Sequence, residues 1–129
     1  MKRILMLCLS LVLLLCGCVN HSTQSDVNYE SISMSEGIER MENDEGYIIL
    51  DVRRADEFEA GHIPGAVNLP NEEIANNEIA MLSDKEQTIY IYCRSGNRSK
   101  QAANKLAALG YNNIIEFGGI LDYTGEIEY

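Results

Sequence analysis

Residues 88–110 read TIYIYCRSGNRSKQAANKLAALG, and this stretch decides the fold. Its first five residues are β-branched or aromatic and lead into Cys93, the pattern of a buried strand. Its last eleven place Ala102, Ala103, Leu106, Ala107 and Leu109 on one broad apolar face, with Gly110 where a helix would be capped. Between them lies the polar loop CRSGNR, residues 93–98, so the helix is expected to open near Arg98 or Ser99. A buried strand that passes through a short loop into an amphipathic helix is half of a parallel crossover unit.

The same alternation continues on both sides. YIILDV (47–52), a short segment at 66–69 and NIIEF (113–117) read as further strands. SMSEGIERMEN carries Met34, Ile38 and Met41 at helical spacing behind a possible Ser33–Glu36 capping box. RADEFEAG is expected to form a short helix stopped by Gly61, and HIPGAVNLP a turn around Pro64 and Gly65. NEEIANNEIAML (71–82) is read as a helix, weakened by the two adjacent asparagines inside it, Asn76 and Asn77. Strands separated by helices imply an α/β fold, a parallel sheet covered by helices on both faces. Functional loops in such sheets gather at the carboxyl ends of the strands, here after Val52 and at Cys93.

The amino-terminal segment stands apart from this pattern. Lys2 and Arg3 precede an apolar run from Ile4 to Leu15 broken by Ser10, the layout of a secretory signal and short of the roughly 20 residues of a membrane span. LCGC, residues 15–18, resembles the lipobox of bacterial lipoprotein precursors, in which cleavage precedes a cysteine that receives a diacylglyceryl group. The resemblance makes residues 1–17 a signal peptide and Cys18 the lipidated first residue of an extracytoplasmic, membrane-anchored protein. An ordinary signal peptide or uncleaved anchor with an incidental cysteine is the alternative. Residues 18–30, polar and without apolar period, read as a flexible tether, and 31–129 as one domain.

Processing changes the cysteine and charge arithmetic. Cys8 and Cys16 leave with the signal and Cys18 becomes a thioether, so Cys93 remains as the sole thiol and no internal disulfide framework is possible. The mature chain carries eight basic and twenty acidic residues, a charge of −12 that argues against nucleic acid as a partner. Yet between Glu86 and Glu116 there is no acidic residue, while Arg94, Arg98, Lys100 and Lys105 all fall there. A +4 segment on an acidic chain suggests an anionic ligand at the cysteine loop. Ser95, Gly96 and Asn97 let backbone N–H groups converge on Cys93, and the helix amino terminus and Arg94 and Arg98 add positive potential. Each effect favours thiolate, whose pKa in such surroundings falls from about 8.5 to between roughly 3.5 and 7.5.

Taken with DVRRADEFEAGHIPGAVNLP (51–70) and LAALGYNNIIEFGGI (106–120), the strand–loop–helix resembles the single-domain rhodanese-like family over about residues 32–123. The resemblance implies a three-layer sandwich around a five-stranded, mostly parallel sheet. It implies sulfur transfer in two steps: Cys93 takes a sulfane sulfur from a donor such as thiosulfate, holds it as a persulfide, and passes it to cyanide or a thiol. Arg94, Ser95, Gly96, Asn97, Arg98 and Ser99 would form the substrate cradle, with Asp51 and Arg53 in support, and no metal or organic cofactor is implied. Asp51 is read as a structural partner of a nearby arginine, Arg53 as a residue that orients the loop, and His62 as part of a turn. Glu57 stands where the two-domain thiosulfate enzymes have arginine, which puts thiosulfate in doubt if Glu57 faces the loop. Tyr123 replaces a frequent tryptophan, and TGEIEY beyond Asp122 has no recognisable role.

Two other readings compete. Cysteine phosphatases also set a thiolate before a helix, but their loops hold five residues between cysteine and arginine, and Cys93 to Arg98 encloses four. A membrane-tethered binding module using the acidic surface is the non-catalytic alternative. With no second thiol in the mature chain, a persulfide on Cys93 requires an external acceptor, a small thiol or a partner protein's cysteine.

Overall fold

A computed structural model describes residues 28–75 and 78–129. The signal segment, Cys18 and the tether up to residue 27 lie outside the described residues. Five parallel strands form one sheet in the order β1-β5-β4-β2-β3: β1 Glu30–Ser31, β2 Ile48–Asp51, β3 Val67–Asn68, β4 Ile89–Cys93 and β5 Ile114–Gly119. Three helices cover it: α1 Met34–Glu42, α2 Ala55–Glu59 and α3 Asn97–Ala108. The α/β class, the parallel sheet and the four longer-range strand assignments agree with the sequence pattern.

β4 lies in the middle of the sheet and all five of its residues are buried. Successive side chains point to opposite faces, so Ile89, Ile91 and Cys93 enter one core with Leu50, Val52, Ala102, Ala103 and Leu106. Tyr90 and Tyr92 enter the other, with Met34, Met41, Ile49, Ile63 and Phe117. This alternation aims Cys93 at α3. Small residues on α3 explain its close seat on the sheet, since Ala102 and Ala103 are fully buried there.

Four expectations need correction. The fifth strand is Glu30–Ser31, which begins within the segment read as tether and pairs with Ile115 and Glu116. Two polar edge residues carry no apolar alternation, so their pairing is dictated by β5 and not by their own pattern. The described residues of 71–82 do not form the expected helix: Asn71–Glu73 and Ala80–Leu82 form short 3₁₀ turns. Helix α3 starts at Asn97, earlier than expected, because Gly96 at φ 101° turns the chain directly into it. At α1, Ser33 accepts the Glu36 N–H at 3.2 Å as expected, but the Glu36 carboxylate pairs with Arg40 and does not close the capping box.

The carboxyl ends of β2 and β4 are tied together by a buried charge pair. Arg53 holds Asp51 through two donors, the shortest contact being 2.6 Å, and also donates to the Gly61 carbonyl at 2.8 Å. The Tyr92 hydroxyl donates to Asp51 at 2.7 Å and accepts the Ile63 N–H at 3.1 Å. This is the structural role read for Asp51. The carboxyl-terminal segment also has a place: Glu128 pairs with His62 in an antiparallel bridge, and its carboxylate accepts the Gly65 N–H at 2.8 Å. His62 stacks on Phe58 at 3.7 Å and bonds its carbonyl through Nδ1, which fixes it in the turn as expected.

Removing one partner of a buried ion pair leaves the other charge uncompensated. Asp51→Ala is therefore expected to lower unfolding stability by about 3–5 kcal/mol, measured by urea denaturation. A loss below ~1 kcal/mol, the range of a surface pair, would contradict the role given to this pair.

Candidate active site

Cys93 ends β4, and its side chain is fully buried beneath the amino end of α3. The turn that follows is set by two glycines. Gly96 adopts the left-handed region and donates its N–H to Cys93 Sγ at 3.0 Å. Gly119, at the end of β5, lies against the turn so closely that a Cβ there would collide with the Arg94 carbonyl. That carbonyl also accepts the Leu121 N–H at 3.2 Å, which pins the loop to the chain after β5.

Ser99 comes from the first turn of α3 and is fully buried. Its Oγ lies 3.5 Å from Cys93 Sγ. Burial pushes the Cys93 thiol up, but the Ser99 hydroxyl and the N–H groups of Ser99, Gly96 and Ser95 outweigh it, so the thiol lies below its ordinary value. The helix amino terminus acts in the same sense. The arrangement can hold a negative sulfur and can equally hold an anionic sulfur bonded to it.

The remaining loop residues divide. Arg94, Ser95 and Asn97 have exposed side chains at the rim. Arg98 lies close enough to feel the charge of Cys93, but its guanidinium grips Glu57 through two hydrogen bonds of 2.7 and 2.9 Å. Glu57 therefore does face the loop. It also accepts the Arg54 N–H at the start of α2. Arg98 beside it holds its carboxyl far below the usual range, at about 2. Arg53 does not orient the loop directly: its donors go to Asp51 and Gly61, because the fully buried carboxylate two residues earlier, at the end of β2, claims them. Its influence passes through Tyr92, the residue before Cys93.

One charged member of the site escaped the sequence reading. Glu116, on β5, is 1% exposed and accepts hydrogen bonds from Ser99 Oγ at 2.6 Å, Ser31 Oγ at 2.7 Å and the Gly118 N–H at 2.9 Å. The available signal was a glutamate inside the otherwise apolar strand IIEF.

A sheet of this order with a cysteine turned into an amide nest matches known proteins. The family model of the rhodanese-like domain matches residues 34–126. The chain belongs to the rhodanese-like family. It is similar to "Putative sulfur carrier protein YrkF" of Bacillus subtilis, 35% identical over 109 residues, covering 84% of this chain and 58% of that protein. The chain thus spans little more than half of that relative's length. It is also similar to the thiosulfate sulfurtransferase PspE of Escherichia coli, 33% identical over 57% of this chain and 70% of that one. Among solved structures, SSP1007 of Staphylococcus saprophyticus superposes with a TM-score of 0.67 at 32% identity, covering 78% of this chain and 99% of that one. An E. coli rhodanese solved with anions gives 0.57 at 31% identity, over 64% and 96%.

The Glu57–Arg98 pair carries a pH signature. A carboxyl depressed in the folded state stabilises it above its unfolded value of about 4.5, and that stability is lost as pH falls through about 2. Glu57→Gln is expected to lack this component. The stability difference between wild type and variant, measured by urea unfolding at stepped pH, should shrink between about pH 4.5 and 2. A difference that stays constant across that window would contradict the assignment.

Proposed function

We propose that this chain is a sulfurtransferase that carries a sulfane sulfur on Cys93. The observation that supports it best is the sulfur's position: Cys93 Sγ sits at the amino end of α3 with the Gly96 N–H 3.0 Å away, in a member of the rhodanese-like family. The Cys93 thiolate attacks the outer sulfur of the donor, an S–S bond forms, and the donor's own sulfur bond breaks with its electron pair leaving on the departing group, sulfite where thiosulfate is the donor. The persulfide then gives its terminal sulfur to a thiolate or cyanide, and Cys93 departs as thiolate. Both steps leave an anion in the same cradle, where Ser99 and the loop amides lower its energy without rearranging. Arg94 and Asn97 at the rim, with Arg98, meet the incoming donor.

The close Gly96 N–H favours this reading over phosphate-ester hydrolysis, because a turn closed so tightly on one sulfur suits a linear S–S anion better than a tetrahedral phosphoryl group. Glu57 bears on the donor. By pairing with Arg98 it cancels one of the two arginine charges of the loop and sets a carboxylate where a dianion would approach. The preferred donor is thus less highly charged than thiosulfate, such as a low-molecular-weight persulfide. The acceptor is external. Lipidation of Cys18 would hold the domain at the outer side of a bacterial membrane, where a small thiol or a partner protein's cysteine receives the sulfur.

Intact-mass analysis after donor treatment tests the intermediate. The protein should gain ~32 Da, one sulfur, and Cys93→Ser should not. Absence of that gain with thiosulfate and with glutathione persulfide alike would overturn the proposal. The same spectrum of membrane-extracted protein should show loss of residues 1–17 and a diacylglyceryl adduct on Cys18. The donor assignment has its own check: Glu57→Gln, which frees Arg98, should raise kcat/KM for thiosulfate about three- to tenfold and leave that for cysteamine persulfide, which carries no net charge, nearly unchanged. Equal effects on both donors would refute the charge argument.

A further inference from the structure

Glu116 is fully buried, and its three hydrogen-bond partners are two hydroxyls and an amide, with no cation among them. It stands one hydroxyl away from Cys93, since Ser99 Oγ is 2.6 Å from Glu116 Oε1 and 3.5 Å from Cys93 Sγ. Ser99 has one proton for the carboxylate and the sulfur, and the carbonyls of Gly96 at 2.9 Å and Gly118 at 3.4 Å from its Oγ compete for it. If that proton points to the carboxylate, the serine oxygen offers a lone pair to the sulfur, which must then keep its own hydrogen. If it points to a thiolate, the short contact between the two oxygens needs a proton supplied by the carboxyl group.

We propose that Cys93 and Glu116 share one proton through Ser99, so that the buried site carries a single negative charge, on the carboxylate in the thiol state and on the sulfur in the reactive state. The transfer balances as a two-bond relay. The Cys93 S–H bond breaks as an O–H bond forms on Ser99, while the original Ser99 O–H breaks and Glu116 Oε1 gains the hydrogen. No electrons leave the site and no other reactant is needed. Two adjacent buried anions would repel strongly at low dielectric, and the relay avoids that state until higher pH.

The surrounding charges fit this pairing. The Tyr29 phenol, next to β1, is raised by burial and by Glu116. On the α3 side Arg98 feels Cys93 but is paired with Glu57. The charged groups of α1 belong to the other face of the sheet, where Arg40 pairs with Glu30 and Glu36. Glu116 is thereby a positioning residue that acts on the nucleophile through Ser99.

The test reads the thiolate directly and does not depend on sulfur transfer. The rate of Cys93 alkylation by iodoacetamide is followed against pH in the full mature chain. Groups coupled by more than about one pK unit titrate in two macroscopic steps. Wild type should show two steps, and Glu116→Gln, which keeps the shape but holds no exchangeable charge, a single step at lower pH. The reciprocal measurement uses the native carboxylate: the side-chain carbon shift of Glu116, followed by NMR, should titrate in two steps in wild type and in one in Cys93→Ser. A merely structural glutamate would change stability but not these profiles. One-step alkylation with the same midpoint in wild type and Glu116→Gln, or a Glu116 titration unaltered by Cys93→Ser, would overturn the proposal.

Discussion

β4 has water on neither face, and the site follows from that constraint. A strand buried on both sides in a parallel sheet must be apolar throughout, so its last residue arrives at the loop already inside the protein. Period-two alternation then fixes the face: with Ile89 and Ile91 against α3, Cys93 must also point there. The helix that covers this face begins where the strand ends, so its free N–H groups and its first-turn serine converge on the sulfur without any special arrangement of their own.

Burial that complete creates a problem of charge, which the structure solves in three different ways around one cysteine. Asp51 meets Arg53 at close range and gains a third bond from Tyr92. Glu57 and Arg98, less deeply buried, clamp α2 to α3 at the loop's edge. Glu116 has hydroxyl and amide donors in place of a cation. The first two arrangements hold charge still. The third, with a hydroxyl between the carboxylate and the sulfur, is suited to moving it.

Most of the fold was legible because it rests on local patterns: apolar runs for β2, β4 and β5, the apolar face of α3, and glycines at Gly61, Gly96 and Gly110. β1 was not, since a two-residue edge strand takes its conformation from the neighbour it pairs with. Residues 71–82 were misread for a related reason: Ile74 and Ile79 stand five apart, off a helical repeat, and pack into or against the core from the ends of two 3₁₀ turns. Within the site, Cys93 and its loop were readable from spacing and residue type. The Glu57–Arg98 pair and the bonds of Ser31 and Ser99 to Glu116 were not, because each joins segments far apart in sequence, and only the assembled sheet brings them together.

The complete burial of Cys93 has a chemical consequence for the lifetime of the protein. A thiol activated towards sulfur is activated towards peroxide too, and stepwise oxidation past sulfenic acid is irreversible for most cysteines. Here the amide of Gly96 and the side chain of Ser99 lie against a sulfur that has no solvent-exposed surface. Susceptibility to oxidation follows exposure, so the burial that aims Cys93 at α3 also shields the one cysteine among the described residues.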